Sequence, residues 1–544
     1  IATPPPFENL RNMAEWEEIQ ALTINWEGFP SILKEITRAS IEETKVIIFS
    51  EDPGSTANYL SGPAAGGPIS LDNVEIIDTE TNSIWIRDFG ANTVYGNRVD
   101  TLLLVDWIYN RPRPDDDVVP DVLAEHLGLD LYTTTQAPTD LVHTGGNFMS
   151  DGQGTGFSSE LVLEENGPQG DFNVTVKDEE DVDAIMESFQ GIDPYIKMTA
   201  LPYDIINHID MHMKLLDEET LLVGEYPEGI ADGPQINANI DYVVNNFLNY
   251  FGEDYEVVRI PMPDSPSGLW PDDNPAGYYR TYTNGVFVNK TFIYPSYREE
   301  YDTTASRIYE EQLPGYTLVP IDCDNSDALI IALAGAIHCI THSVGVNDPL
   351  LIVHNDLEDT ENTVDPYQVI AEIEHRSGIS NATLHWRLQG EEEFNSVEMS
   401  AEETPFFSAD IPAQQPESVI EYYVSAEAEN GKTQVRPIVA PEGFWSFKVL
   451  GEVTSVSLPE VLELRPVYPN PARDLASIPI LAKRPVDVQV YLTDLSGKKI
   501  REVYRGKVRG DRRLSVFTDD LASGVYQVIV DGEFGRSSTP LMVR

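Results

Sequence analysis

Two cysteines stand in a chain of 544 residues. One of them, Cys339, closes an apolar run, Asp327-Ala-Leu-Ile-Ile-Ala-Leu-Ala-Gly-Ala-Ile-His-Cys339-Ile-Thr-His-Ser343. A thiolate is a far stronger nucleophile than a hydroxyl. Asn207-His208-Ile209-Asp210-Met211-His212-Met213-Lys214-Leu215 reads as a strand, whose period of two puts His208, Asp210, His212 and Lys214 on one face. An imidazole and a carboxylate would then lie about 7 Å apart along that face. Ser83-Ile84-Trp85-Ile86-Arg87-Asp88-Phe89-Gly90 reads as a second strand, broken at Gly90, with Asp88 at its end. Strand ends are common places for a functional carboxylate. In Asn110-Arg111-Pro112-Arg113-Pro114 the prolines hold Arg111 and Arg113 extended. Paired arginines suit two-pronged capture of a carboxylate.

Taken singly, each feature also has an ordinary explanation: a core cysteine, a salt-bridged surface aspartate, two solvated arginines beside the acidic run Asp115–Asp117. Cys323 and Cys339 could pair with each other, which would silence Cys339 as a nucleophile. His-x-Asp-x-His has a metal reading, ranked lower because Lys214 shares the face and no cluster elsewhere completes a shell. Asp115–Asp117 could hold a hard cation, but their spacing matches no cation-loop motif. The glycine-rich stretch from His143 through Gly145-Gly146-Asn147 to Asp151–Gly156 reads as a hairpin that lets a ligand approach closely. It is no phosphate loop, since the lysine and following helix are missing.

The elements that must position these groups alternate. Ala21–Trp26 reads as a strand, 30–41 as an amphipathic helix and Val46–Ser50 as a short buried strand, which is an α/β unit. Further strands are expected at Leu102–Tyr109, Leu221–Tyr226, Thr283–Val288 with Thr291–Tyr294, and Tyr316–Asp322, with a helix over 303–312. Leu350–His354 is expected to close this α/β part, residues 1–354. After an acidic linker at 355–366 the pattern is strand-only to about 450, as in an immunoglobulin-like sandwich, residues 355–452. Residues 453–544 are β again and close to charge-neutral.

The chain carries 91 acidic against 35 basic side chains, a net charge of -56. Such a surface repels nucleic acid and anionic membranes, suits a salty medium that screens self-repulsion, and steers cations inward. No apolar run is long enough for a membrane helix. The residues from Ile1 onward show no basic n-region and no h-region, so no signal peptide is visible, and the expectation is that one has been removed.

Trp85-Ile-Arg-Asp88, Gly145-Gly146-Asn147, His208-Ile-Asp210 and Gly335-Ala-Ile-His-Cys339-Ile-Thr341, in that order and after the opening Ala14-Glu-Trp-Glu17, resemble the guanidino-group-modifying superfamily. The similarity is to its agmatine deiminase and bacterial peptidylarginine deiminase branch, over roughly residues 13–352. That resemblance implies a five-bladed α/β propeller (pentein) and a cofactor-free, metal-free hydrolase of linear amidine C–N bonds. It implies that Asp88 and Asp210 grip the guanidinium, Cys339 attacks its carbon, and His208 protonates the leaving ammonia and then activates water. Arg111 and Arg113 resemble the segment that holds the α-carboxylate of a C-terminal arginine; Trp85, Asn284 and Gly146 would line the substrate. His338 is read as structural. One position departs: the aromatic residue expected three places before the histidine is Ile205, and Tyr203 could substitute for it. Val467-Tyr-Pro-Asn-Pro-Ala472, Asp494-Leu-Ser-Gly-Lys498 and Gly524-Val-Tyr526 resemble a type IX secretion sorting domain. The expectation is a secreted or surface-attached deiminase of arginine-containing peptides or proteins. An agmatine or free-arginine deiminase and a non-catalytic surface adhesin on the same fold stand as alternatives.

Overall fold

The protein is described from a computed structural model, over residues 1–273, 277–402, 405–450, 462–473, 475–494, 497–518, 521–532 and 535–544. The junction expected at 452/453 lies outside the described residues, as do two residues of the 494–498 motif.

One pattern recurs along residues 10–345: an antiparallel pair, then a helix, then a strand parallel to the second of the pair. Met213–Leu215 pairs antiparallel with Thr220–Glu225, the helix Gly233–Asn246 crosses over, and Glu256–Pro261 returns parallel. Val286–Val288, Thr291–Ser296, the helix Glu299–Gln312 and Thr317–Asp322 repeat it. So do Met149–Ser150 with Gly156–Ser159 and Tyr195–Met198, and Asn92–Gly96 with Thr101–Tyr109 and Leu131–Thr134. A parallel return needs such a crossover, which a helix supplies. The fifth sheet joins chain ends: His342–Gly345 pairs antiparallel with Ile19–Asn25, which pairs parallel with Lys45–Ser50 across the helix Pro30–Ser40.

The helices form where their sequences allow one apolar stripe. In Pro30–Ser40, Ile32, Leu33 and Ile36 are fully buried. Their spacing is that of one helix face, and each contributes about 2 kcal/mol by leaving water. Pro30 sits in the first turn, where its missing N–H costs nothing. Glu179–Gln190 starts on a reciprocal capping box between Asp178 and Asp181 and stops at Gly191, whose φ of 70° is left-handed.

Three sequence expectations are corrected. Trp85–Gly90 is no strand: Ile86–Phe89 is a single helical turn, closed by Gly90 N donating to Ile86 O at 2.8 Å. Buried Ile86 and Phe89 are three apart, a spacing that serves a helical turn. Residues 207–215 are not one strand either. Asn207 has a φ of 55°, which Asn tolerates, and Ile209–Met211 is a 3-10 turn before the short strand Met213–Leu215. Leu351–Val353 pairs with Tyr367–Glu374 of the following β region, so the strand that closes the α/β part is His342–Gly345.

The remaining chain is all β. Two sheets over residues 351–448 share a core that includes Val369, Leu384, Ile411, Tyr422 and Val424. The last sheet, Leu462–Leu464 to Gly535–Val543, has its own core around Ile478, Val490, Leu514 and Val530. Among the described residues no helix is long and apolar enough to cross a membrane.

Candidate active site

Four irregular segments, not strands, bring the chemistry together. The turn Ile86–Phe89 supplies Asp88, whose backbone oxygen accepts from Trp107 Nε1 at 3.2 Å. His208 stands extended before the turn Ile209–Met211, which supplies Asp210. Gly145–Asn147 is a 3-10 turn that brings its backbone against both. Cys339 lies in the 3-10 turn His338–Ile340. Tight turns put residues two apart into one cluster as effectively as a strand face does.

Gly146 sits at the convergence. A Cβ there would fall 2.5 Å from His208 Nδ1, 3.0 Å from Asp88 Oδ1 and 3.3 Å from Asp210 Oδ2, so only glycine fits. His208 Nε2 meets Thr144 Oγ1 at 3.0 Å, which fixes the ring. Its Nδ1 is 3.5 Å from Asp88 Oδ1, too far for a good hydrogen bond. Asp88 Oδ1, Asp210 Oδ1 and His208 Nδ1 are buried and have no partner within the protein. Three such polar atoms in one place are costly unless a polar guest completes them.

The thiol lies beside them. Cys339 Sγ is 3.4 Å from Asp210 Oδ2 and accepts from Asn284 Nδ2 at 3.2 Å. Asn284 Oδ1 in turn accepts from the backbone N–H of His338 at 3.0 Å. Asn284 therefore holds both the cysteine turn and its sulfur. Cys339 and Cys323 are both free, so the disulfide alternative falls.

Electrostatics separates the two aspartates. Burial pushes the Asp88 carboxyl up, against the pull of His208. Burial also pushes Asp210 up, but the His338 hydrogen bond and charge, with His208 beyond, overcome it and hold the carboxyl below its ordinary value. Burial, then the charges of Asp210 and Asp88, push the Cys339 thiol well up. The site thus holds a neutral thiol beside carboxylate oxygens with no protein partner, an arrangement that a planar cation would relieve.

The two arginines part company. Arg113 Nη1 donates to Tyr109 Oη at 2.8 Å and Ser83 Oγ at 3.2 Å. Arg111 is exposed, and its charge bears on Asp88 and on Glu165, a carboxyl that burial pushes up to about 7. The acidic run is structural at Asp116, which accepts from the backbone N–H of Asn82 and Ser83 and from Ser83 Oγ. Trp85 is half-buried and packs so closely on Gly335 that a Cβ there would lie 2.3 Å from its ring. Lys214 does not share a face with His208: it reaches Glu15 at 2.5 Å. Among the described residues no group of three or more His, Cys, Asp and Glu side chains could hold a metal.

Sequence reasoning missed Glu15, Thr144 and Glu165 as neighbours of the site and set His338 aside. The signal for His338 was its place beside Cys339; it was discounted because neighbours on a strand point apart, and this segment is a turn.

The profile of the Porphyromonas-type peptidyl-arginine deiminases matches residues 11–344, more than half of the chain. The chain belongs to that family. Its members are hydrolases that act on the C–N bonds of amidines. A protein assigned as an agmatine deiminase in Latilactobacillus sakei is 23% identical over 378 residues, 63% of this chain and 98% of that protein. One so assigned in Legionella pneumophila is 25% identical over 56% of this chain and 81% of its own length. The fold is that of the solved arginine and agmatine deiminases. A structure assigned as an arginine deiminase from Porphyromonas gingivalis superposes with a TM-score of 0.53 at 17% identity, covering 62% of this chain and 98% of that one. The agmatine deiminase of Enterococcus faecalis gives 0.51 at 17%, covering 63% and 98%. Residues 466–544 match the secretion-system C-terminal sorting domain, which marks this deiminase as secreted or cell-surface.

Proposed function

We propose that this chain hydrolyses the guanidinium of C-terminal peptidyl-arginine to citrulline and ammonia through a covalent intermediate on Cys339. The observation that carries the reading is the trio of unpartnered buried atoms, Asp88 Oδ1, Asp210 Oδ1 and His208 Nδ1, grouped around Gly146 beside a buried sulfur. A guanidinium offers N–H groups along its edges to two carboxylates. Its charge offsets theirs, which favours loss of the Cys339 proton. Sulfur then bonds to the guanidinium carbon, and one nitrogen, protonated by way of His208, leaves as ammonia. Water, losing its proton to His208, attacks the S-linked carbon; the C–S bond breaks and the ureido oxygen remains. Asp88 and Asp210 hold the carbon in line with the sulfur.

Exposed Arg111, whose charge reaches Asp88, supports recognition of a substrate carboxylate at the mouth. The five small sheets, the last closed by His342–Gly345, support a five-bladed propeller within residues 1–354, and the two-sheet region, which takes in Leu351–Val353, supports an immunoglobulin-like spacer before the sorting domain. An agmatine or free-arginine deiminase is favoured instead by the names of the relatives and by the hydrogen bonds that occupy Arg113.

The deciding experiment measures citrulline from a peptide ending in arginine, from the same peptide with the arginine internal, and agmatine turnover in parallel. Turnover of the first alone, abolished by Cys339→Ala and lowered about 100-fold by Arg111→Ala, is the expected result. Turnover of agmatine alone would sink the carboxylate clamp. Inactivity on all three, with Cys339→Ala biologically equivalent to the parent, would favour the adhesin.

A further inference from the structure

His338 is the most enclosed charged contact in the molecule that the chemistry above does not use. Its side chain is wholly buried and bonded at both ends to a carboxylate: Nδ1 to Asp210 Oδ2 at 2.8 Å and Nε2 to Glu15 Oε1 at 2.6 Å. Glu15 is itself held by Lys214 Nζ at 2.5 Å and faces Arg87 Nη1 at 3.6 Å. Arg87 Nε also donates to the His338 carbonyl at 3.4 Å. The titratable groups around this set include Cys339, His208, Asp88, Asp204 and His212, which bear on Asp210, and His342, which lies within range of Glu15, Arg87 and His338.

An ionised carboxylate only accepts hydrogen bonds, and a bare ring nitrogen only accepts them too. Contacts of 2.6 and 2.8 Å therefore require a proton between each nitrogen and each oxygen. A neutral ring would force that proton onto Glu15 or Asp210. Glu15 lies against Lys214 and faces Arg87, two cations whatever the state of the ring, and both pull its carboxyl down and oppose a proton there. Lys214 also bears on Asp210 and opposes a proton there.

We propose that His338 is a positioning residue for the deimination: an imidazolium pinned between Glu15 and Asp210, it occupies Asp210 Oδ2 and leaves Oδ1 ionised and open toward the substrate guanidinium. The proposal rests on the guanidinium reading of the site. It assigns Glu15, more than 300 positions away in sequence, as the group that keeps the proton on the far nitrogen. His338 touches no substrate; it acts through Asp210. Without its charge, a buried Asp210 beside Asp88 takes up a proton more readily, and the site loses one of its two grips at moderately acidic pH.

The test is the pH profile of kcat/KM for wild type, His338→Asn and Glu15→Gln, joined to neutron diffraction of the wild-type protein near neutral pH. His338→Asn keeps a donor toward Asp210 but no charge. The expected result is an acid limb moved to higher pH by about one unit, so that activity falls about tenfold near that limb through KM more than kcat, and recovers toward wild type as pH rises. Glu15→Gln moves it the same way by less. A loss uniform at every pH would overturn the proposal, because a purely structural role predicts that. Should the variants not fold, the nuclear density decides: deuterium on both ring nitrogens supports the imidazolium, and one bare nitrogen overturns it. That density is read without substrate, so failure of the deiminase reading in the turnover assay is separately visible.

Discussion

Gly146 stands where the side chains of the site converge, and its replacement separates geometry from chemistry. Gly146→Ala adds one methyl group where His208, Asp88 and Asp210 converge. It must displace the imidazole or a carboxylate, and a misplacement of that size costs about 100-fold or more in kcat/KM. Thermal unfolding of the variant should stay within a few degrees of the parent, because no cavity opens. Normal turnover by Gly146→Ala would mean that the three side chains do not work together. Cys339 supplies a second check at this scale. Its thiol is pushed up by burial and by two neighbouring carboxylates, so the reactive thiolate is scarce in the free protein. Alkylation by a small neutral reagent should be slow at neutral pH and rise continuously with pH, without levelling off below the ordinary cysteine range. A guanidinium that occupies the carboxylates without reacting should speed it. A plateau in the free protein near neutral pH would contradict the electrostatics derived above.

At the scale of elements, the helices are scaffold and the turns are machinery. Asp178→Ala removes the side-chain half of the capping box on Glu179–Gln190, leaving the residue 178 backbone N–H to donate to Asp181, and should cost about 1 kcal/mol of stability with kcat/KM unchanged. A large loss of activity would show that this helix positions the site, contrary to the separation proposed. Most scaffold was legible in the sequence. Ile32, Leu33 and Ile36 mark a helix by spacing, and Thr101–Tyr109 and Thr317–Asp322 mark strands by apolar runs between turn signals. The site residues were legible as a set, through motif and order. Their local conformation was not, and the reasons are specific. Over four to six residues an alternating pattern and a helical turn are hard to tell apart: buried Ile84 and Ile86 fit the first, buried Ile86 and Phe89 the second. The break at Asn207 is a left-handed φ that nothing in its neighbours announces. The role of His338 needed Glu15, and no local pattern reports a partner brought in from the other end of the chain.

The whole molecule combines a strongly acidic surface with buried charge pairs of both signs. A net charge of -56 repels itself, and the repulsion is screened over about 8 Å at physiological ionic strength. Raising salt from a few millimolar to about 0.5 M should therefore raise the midpoint of thermal unfolding by about 3 °C or more. Buried contacts such as Glu15 with Lys214 are screened little, so activity should change less than stability. A midpoint that falls with salt would mean that surface ion pairs, not net repulsion, dominate.

The closing strand sets an order of events. His342–Gly345 begins three residues after Cys339 and docks on Ile19–Asn25, more than 300 positions earlier in the sequence. Cys339 is thus delivered by the same stretch that seals the fold. A chain emerging from a ribosome or a secretion channel has Asp88, His208 and Asp210 early, but sulfur, Asn284 clamp and closing strand meet only when its two distant parts join. Completing the cluster is thus the same event as closing the fifth sheet, which ties two stretches more than 300 residues apart.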